Sequence, residues 1–318
     1  MDYRKLGNTG LKVSEIAYGS WLTFGNQVEL DKAKSLIKRA FELGINYIDC
    51  ADVYKNGEAE TLLGQILPSK RRPDYVVATK AFWPMSEGVN DRGLSRKHIV
   101  DSVNLSLERL KLSYVDIWYC HRYDPETPLE ETLEAIEDMI RQGKILYWGT
   151  SEWEADQISE AWGICHARGW HKPVVNQPYY SLADRHIESR ILPTCERLGL
   201  GTASFSPLAQ GILTGKYSGG KIPKGSRGAD DRLNMFMKNN LTNQDLLARV
   251  DRLAPIAEKN GFTVGQLAIA ALLQKPGISS VIVGASTLEQ LEENAAAASF
   301  ELSAKDQAAI DRIFKPGI

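Results

Sequence analysis

Asp49, Tyr54, Lys80 and His121 are the side chains whose types and spacing suggest chemistry. Each stands at or just past the end of one of three short apolar segments, INYID, YVVATK and VDIWYCH. Segments of that length, rich in Ile, Val and Tyr, read as β-strands. A free tyrosine titrates near ~10 and a free lysine near ~10.4. Tyr54 is therefore a poor acid at neutral pH unless a nearby cation stabilises its phenolate. Lys80 can be that cation, Asp49 can keep it charged and oriented, and His121 can donate a hydrogen bond to a substrate oxygen. Such a set can protonate a carbonyl oxygen in one direction and accept an alcohol proton in the other. No side chain supplies hydride, so a reductase of this kind needs a hydride carrier. Taken singly, each residue has an ordinary structural use: a loop carboxylate, a packed phenol, a solvated ammonium, a core imidazole. The combination on consecutive strand ends is what points to a site.

Strand-like and helix-like segments alternate along the chain and position these residues. YRKLG and LKVS flank the turn Asn8-Thr9-Gly10, which predicts an N-terminal β-hairpin. IAYGS, the three segments above, ILYWGTS, VVNQ, GTASFS and SSVIVGAS read as strands, about eight in all. Amphipathic segments follow them, one closed by Gly44, one begun by Ser95 as N-cap, one ended by Gly143. This α/β alternation without a composition break predicts one (β/α)8 TIM barrel domain over residues 1–318, with its chemistry at the C-terminal face. An open doubly wound sheet would carry a Gly-rich loop after its first strand, but GSWLTFGNQ stands there. GILTGKY falls one residue short of a P-loop, and Lys216 is followed by Tyr217. Two long connections, residues 84–94 and 206–243, read as binding loops or lids at that face.

Composition narrows the classes. With 43% hydrophobic and 25% charged residues and a formal charge of −2, the chain has the balance of an ordinary soluble protein. Its scattered basic residues argue against a nucleic-acid or membrane-surface role, and Lys70-Arg71-Arg72 reads as a solvated loop. No apolar run reaches the ~18 residues of a membrane span, and MDYRKLG lacks the apolar core of a secretory leader. Cys50, Cys120, Cys165 and Cys195 form no CxxC pair. They read as buried fillers in a reducing compartment, which predicts a cytoplasmic protein. The histidines make no HExxH, and there is no GxSxG, so zinc and serine hydrolases find no support.

INYIDCADVY, ATK and YVDIWYCHR are similar to the catalytic segments of the aldo-keto reductases. The similarity runs from RKLGNTGLKVSEIAYGSW to LEQLEENAAAA. RGLSRKHIV, SLERLKLSYVDI, TPLEETLEAIEDMIRQGKILYWGTS and SPLAQGILTGKY resemble most the branch that holds potassium channel β subunits and their bacterial relatives. The resemblance implies a barrel that binds NADPH in extended form without a Rossmann motif, with Tyr54 as general acid/base beside Lys80, Asp49 and His121. Channel β subunits commonly have asparagine at the histidine position, so His121 favours an enzyme.

The resemblance also implies the cofactor residues. Ser20 and Trp21 would lie at the nicotinamide end with Gln27 nearby, Ser151 and Gln177 would hold the carboxamide, and Phe205 would stack on the ring. Glu152 stands where relatives often have Asn or Arg; it can accept from the amide nitrogen but cannot donate to its oxygen. Ser206, Pro207, Leu208, Gln210 and Gly211 would line the pyrophosphate path, with Lys216 and Arg227 supplying positive charge. Gly284, Ser286, Gln290, Glu293 and Asn294 would hold the adenosine end, where Ser286 and Gln290 at a helix start suit a 2′-phosphate. Trp21, Trp83 and Arg122 are expected in the substrate pocket, and Arg122 either attracts an anionic group or pairs with Asp124 or Glu126. The leading expectation is an NADPH-dependent reductase of aldehydes and ketones. A cofactor-sensing subunit of a membrane channel is the alternative, although the chain begins too close to the hairpin for a pore-blocking extension. A sugar-phosphate enzyme would need a substrate phosphate site after strands seven and eight. Assembly as a tetramer or larger ring is expected by analogy.

Overall fold

A computed structural model describes residues 1–315 apart from 22, 25–27, 232 and 236. Tyr3–Lys5 (β1) and Lys12–Ser14 (β2) form the antiparallel hairpin, with Tyr3 opposite Ser14. Its turn holds Gly7 at φ +56, where a Cβ would lie 2.4 Å from the Gly199 carbonyl oxygen, so only glycine allows this approach. Eight parallel strands then close a barrel: Ile16–Gly19 (β3), Tyr47–Asp49 (β4), Val76–Ala81 (β5), Val115–Cys120 (β6), Ile145–Ser151 (β7), Val175–Gln177 (β8), Gly201–Phe205 (β9) and Ile278–Val283 (β10). β10 pairs with β3 to complete the ring. The expected (β/α)8 barrel and hairpin are both present.

The barrel is filled rather than hollow. Ala17, Tyr47, Ala78, Ile117, Tyr119, Val175, Ala203 and Ile282 form its interior column, and Leu6 and Val13 of the hairpin plug the bottom. Alternate residues such as Ile16, Ile48, Val77 and Trp118 face the helices. Strands buried on both sides read as continuous apolar runs, which is why they stood out in the sequence. Helices Leu30–Glu42, Arg96–Leu110, Leu129–Arg141 and Ala155–Arg168 follow their strands as expected. Ser95 caps the second of these by accepting from the His98 amide. Helices Gln244–Asp251, Ala254–Lys259 and Ala304–Ile313 were not anticipated. Among the described residues no helix is long and apolar enough to cross a membrane, and the four cysteines are buried and unpaired.

The reading of Lys70-Arg71-Arg72 as a solvated loop fails at Arg72. Its Nη2 donates to Asp116 Oδ2 at 2.6 Å, and its guanidinium lies 4.0 Å from the Tyr114 ring centre and 4.8 Å from that of Tyr75. The same Asp116 oxygen accepts from the Val77 amide at 2.8 Å, so the pair ties β5 to β6. Sequence spacing hid this because the partners are far apart in the chain. Burial pushes Asp116 above the usual carboxylate range, with the Val77 amide and Arg72 opposing. A stranded Asp116 can therefore take up a proton, which limits the cost of losing its partner. Arg72→Ala is expected to destabilise the fold by about 2 kcal/mol. Arg71→Ala, at an exposed site, should cost less than about 0.5 kcal/mol. Urea denaturation of the two variants checks this.

Candidate active site

β4, β5 and β6 are neighbours in the barrel, with Lys80 opposite Tyr119 and Ala81 opposite Cys120. Asp49 ends β4, Lys80 stands one residue before the end of β5, and His121 follows β6. Tyr54 lies in the turn after β4. That turn is pinned to β5 by the amides of Cys50 and Asp52, which donate to the carbonyls of Ala78 and Lys80 at 2.9 and 3.1 Å. Lys55, Asn56 and Gly57 all have left-handed backbone before the helix Glu58–Gly64 begins. A Cβ on Gly57 would lie 2.8 Å from Arg109 Cδ, so the turn packs closely against the helix behind it.

Lys80 Nζ is fully buried and donates to Asp49 Oδ2 at 2.7 Å, to the Cys50 carbonyl at 2.7 Å and to Tyr54 Oη at 3.1 Å. An ammonium has three protons, and all three are used. Asp49 is closed from the other side by Gln177 Nε2, which donates to Oδ1 at 2.8 Å. Burial alone would lower the Lys80 pKa, but Asp49 and Tyr54 hold it above its ordinary value. Burial pushes Tyr54 up to about 12; Lys80 opposes that rise and Asp49 adds to it. Lys80 therefore tempers the acidity of Tyr54 without overcoming burial, and Tyr54 is a protonated phenol at neutral pH. Its oxygen accepts from Lys80, which leaves its own proton free to donate.

His121 is buried, with its Nδ1 lacking a partner and its ring edge-on to Tyr54 at 5.9 Å and to Trp83 at 6.4 Å. Burial, and then the charges of Lys80 and Arg122, hold its pKa well below the ordinary value. It is a neutral imidazole. Arg122 donates through Nη1 to the His121 carbonyl and lies 5.5 Å from the Trp83 ring centre.

A groove of about 480 Å³ runs from Asp49 and Tyr54 to Asn294. Trp21 and Phe205 stand over its inner end, their rings edge to face at 6.5 Å. Ser206, Pro207, Leu208, Gln210 and Gly211 line its middle with Lys216 and Arg227. Gly284, Ser286, Gln290, Glu293 and Asn294 line its outer end. The Gln290 side-chain oxygen accepts from the Ser286 amide and hydroxyl, and Asn294 Nδ2 donates to the Gly284 carbonyl. Glu293 accepts from the Thr263 hydroxyl. Among the described residues, neither Lys216 nor Arg227 has a carboxylate within 4.0 Å. Ser206, Ala209 and Gln210 have φ of 55, 45 and 59, a left-handed backbone that non-glycine residues adopt at a cost.

Ser20, Ser151, Glu152 and Gln177 lie off this groove. Ser20 Oγ donates to the Asp49 carbonyl at 3.0 Å. Ser151 is buried opposite Gln177 in the β7–β8 register. Glu152 has φ 56, and its carboxylate accepts from the Tyr179 amide. The amide nitrogen of Gln177 is directed at Asp49. Gln27 lies outside the described residues. Sequence reasoning missed Thr23, Thr214, Ser226 and Gly265, which also line the groove. Ser226 Oγ is buried there without a partner. The long loop was singled out, but nothing in its composition distinguishes Ser226 from other loop serines. Asp52 and Glu60, both buried behind Tyr54, were missed as well. Burial, and then the charge of Glu60, push Asp52 well above the usual carboxylate range.

A filled parallel barrel thus carries a Lys–Asp–Tyr cluster at its C-terminal face beside a cationic groove, an arrangement able to move a proton next to a bound anionic ligand. The Aldo/keto reductase family model matches residues 15–315, and the chain belongs to that family. Two plant proteins described as probable voltage-gated potassium channel subunit beta are similar to it. The one from Oryza sativa subsp. japonica is 47% identical over 297 residues, covering 92% of this chain and 90% of the relative. The one from Arabidopsis thaliana is 46% identical with the same coverage.

The neutral imidazole of His121 makes the fold acid-sensitive. An unfolded histidine titrates near ~6.5, and the folded one titrates lower. Its contribution to stability is complete above the unfolded value and is lost as pH falls from there through the folded value. His121→Asn should flatten the decline between about pH 6.5 and 5, by up to about 1.4 kcal/mol per pH unit. Urea denaturation at the two pH values measures it.

Proposed function

We propose that this chain is an NADPH-dependent reductase of aldehydes and ketones, with Tyr54 as the group that protonates the carbonyl oxygen. The carrying observation is the Lys80 ammonium donating to Tyr54 Oη at 3.1 Å, where Tyr54 opens onto the groove. In this reading Tyr54 gives up its proton to the substrate oxygen, and Lys80 stabilises the phenolate that remains. Asp49 keeps Lys80 charged, and Gln177 keeps Asp49 in place. Neutral His121 helps to orient the carbonyl.

The groove suits a dinucleotide phosphate cofactor. Its orphaned Ser226 hydroxyl and its two cations without acidic partners fit a phosphorylated ligand. When bound, NADPH would supply the hydride. Phe205 would face its ring, while Lys216 and Arg227 would meet its phosphates. The same reading takes residues 1–318 as one barrel domain in a cytoplasmic homo-oligomer. The printed names of the plant relatives support a second reading, a cofactor-binding subunit of a membrane channel. It predicts cofactor binding with negligible turnover and stoichiometric recovery with a membrane protein.

Purified protein should consume NADPH with para-nitrobenzaldehyde, and Tyr54→Phe should lower kcat by about 10²- to 10⁴-fold. Fluorescence titration should show NADPH binding unchanged in that variant. No turnover by the wild type, or an equal rate in Tyr54→Phe, overturns the reading. In the same titration, Lys216→Ala and Arg227→Ala should each weaken NADPH binding by about tenfold or more.

A further inference from the structure

We propose that Arg122 anchors a carboxylate, and that the preferred substrates are aldehydes or ketones carrying one near the reacting carbonyl. This deepens the reading of Tyr54 as the proton donor and rests on it. The sequence left two uses open for Arg122, and the structure removes one. Asp124 Oδ2 accepts from the Leu94 amide and the Thr127 hydroxyl, each at 2.7 Å, and its Oδ1 accepts from the Glu126 amide at 3.0 Å. Asp124 is thus spent on the loop before helix Arg96–Leu110, not on Arg122. Among the described residues no carboxylate comes within 4.0 Å of the Arg122 guanidinium.

The guanidinium has five donors and remains charged at any working pH. Among the described residues its hydrogen bond is the one from Nη1 to the His121 carbonyl, and its guanidinium lies 5.5 Å from the Trp83 ring centre. It is half-buried, and burial lowers its pKa while Glu152 and Tyr54 act in the opposite sense. A partly desolvated guanidinium with open donors is stabilised by a ligand that accepts two hydrogen bonds in one plane, as a carboxylate does.

Position makes the anchor relevant to the reaction. Arg122 is adjacent to His121 in sequence, and His121, Tyr54 and Trp83 form a continuous set of ring contacts. The other charges nearby are already committed. Lys80 is neutralised by Asp49, His121 is uncharged, and Glu152 accepts from the Tyr179 amide. Arg122 is therefore the cation left to meet a substrate. Glu152, which acts on it through space, would repel an anion placed on its own side and so narrows the approach.

The test compares para-carboxybenzaldehyde with its uncharged methyl ester, using NADPH. The quantity read is the ratio of kcat/KM for acid over ester. Arg122→Gln should lower that ratio by about tenfold or more, chiefly by raising KM for the acid. Arg122→Lys, which keeps the charge but not the fork, should restore part of it. Glu152→Gln should raise the ratio. In the wild type, added salt should raise KM for the acid and leave that for the ester nearly unchanged. A ratio unmoved in Arg122→Gln overturns the proposal. Should that variant not fold, a wild-type KM for the acid that is indifferent to salt overturns it equally. Reduction of neither compound by the wild type would instead overturn the reading of Tyr54.

Discussion

The structure turns on a buried charge. Lys80 carries a full positive charge at a position with no solvent exposure, which an unpaired ammonium could not occupy. Its three protons and both oxygens of Asp49 all have partners within 3.1 Å, so no part of the pair is left unsatisfied. A closed pair of this kind adds little net stability. What it sets is position. It locks the end of β4 to the end of β5 and recruits β8 through Gln177. It also leaves the third lysine proton pointing at Tyr54. The barrel must close, and the turn carrying Tyr54 must fold back onto β5, for any of this to hold.

The barrel floor supports the same arrangement. Tyr47 and Tyr119 share a hydrogen bond of 2.7 Å in the filled interior, and the hairpin residues Leu6 and Val13 close the bottom against water. Asp49 and Tyr54 of the charged cluster meet the groove at the C-terminal face. The long loop after β9 builds that groove with a backbone that is strained at Ser206, Ala209 and Gln210. Strain of this sort persists where the surrounding packing dictates it. Here the loop folds over Ile212, Leu213 and Tyr217, all fully buried. The core under the loop holds the strained turn open to the groove.

Much of this was legible in the residues, and the rest was hidden for physical reasons. Barrel strands are apolar on both faces, so they announce themselves, and Ser95, Gly44 and Gly143 mark helix ends by local chemistry. Asp49, Tyr54, Lys80 and His121 could be grouped because consecutive strands deliver them side by side. Long-range pairings leave no such trace. Gln177 reaches Asp49 across 128 positions, and Arg72 reaches Asp116 across 44. The bond from the Gln177 amide nitrogen to Asp49 could not be read from the sequence, which pointed to Gln177 only as a residue for a cofactor amide. The helices Gln244–Asp251 and Ala254–Lys259 were overlooked because they follow a loop rather than a strand. Ser226 shows the limit most clearly, since a loop serine becomes notable only when its hydroxyl is seen to be buried without a partner.

The site divides its charges by role. The Lys80 charge is matched by Asp49, and Tyr54 feels a balance of burial and Asp49 against one ammonium. Burial and neighbouring cations keep His121 neutral, which suits the orienting role proposed for it. Lys216, Arg227 and Arg122, which have no carboxylate within 4.0 Å among the described residues, stand where an anionic ligand could approach. Arg72, Arg109 and Arg185, by contrast, are paired with carboxylates inside the fold. The paired arginines hold the fold together, whereas Lys216 and Arg227 line the groove and Arg122 stands beside His121 and Trp83.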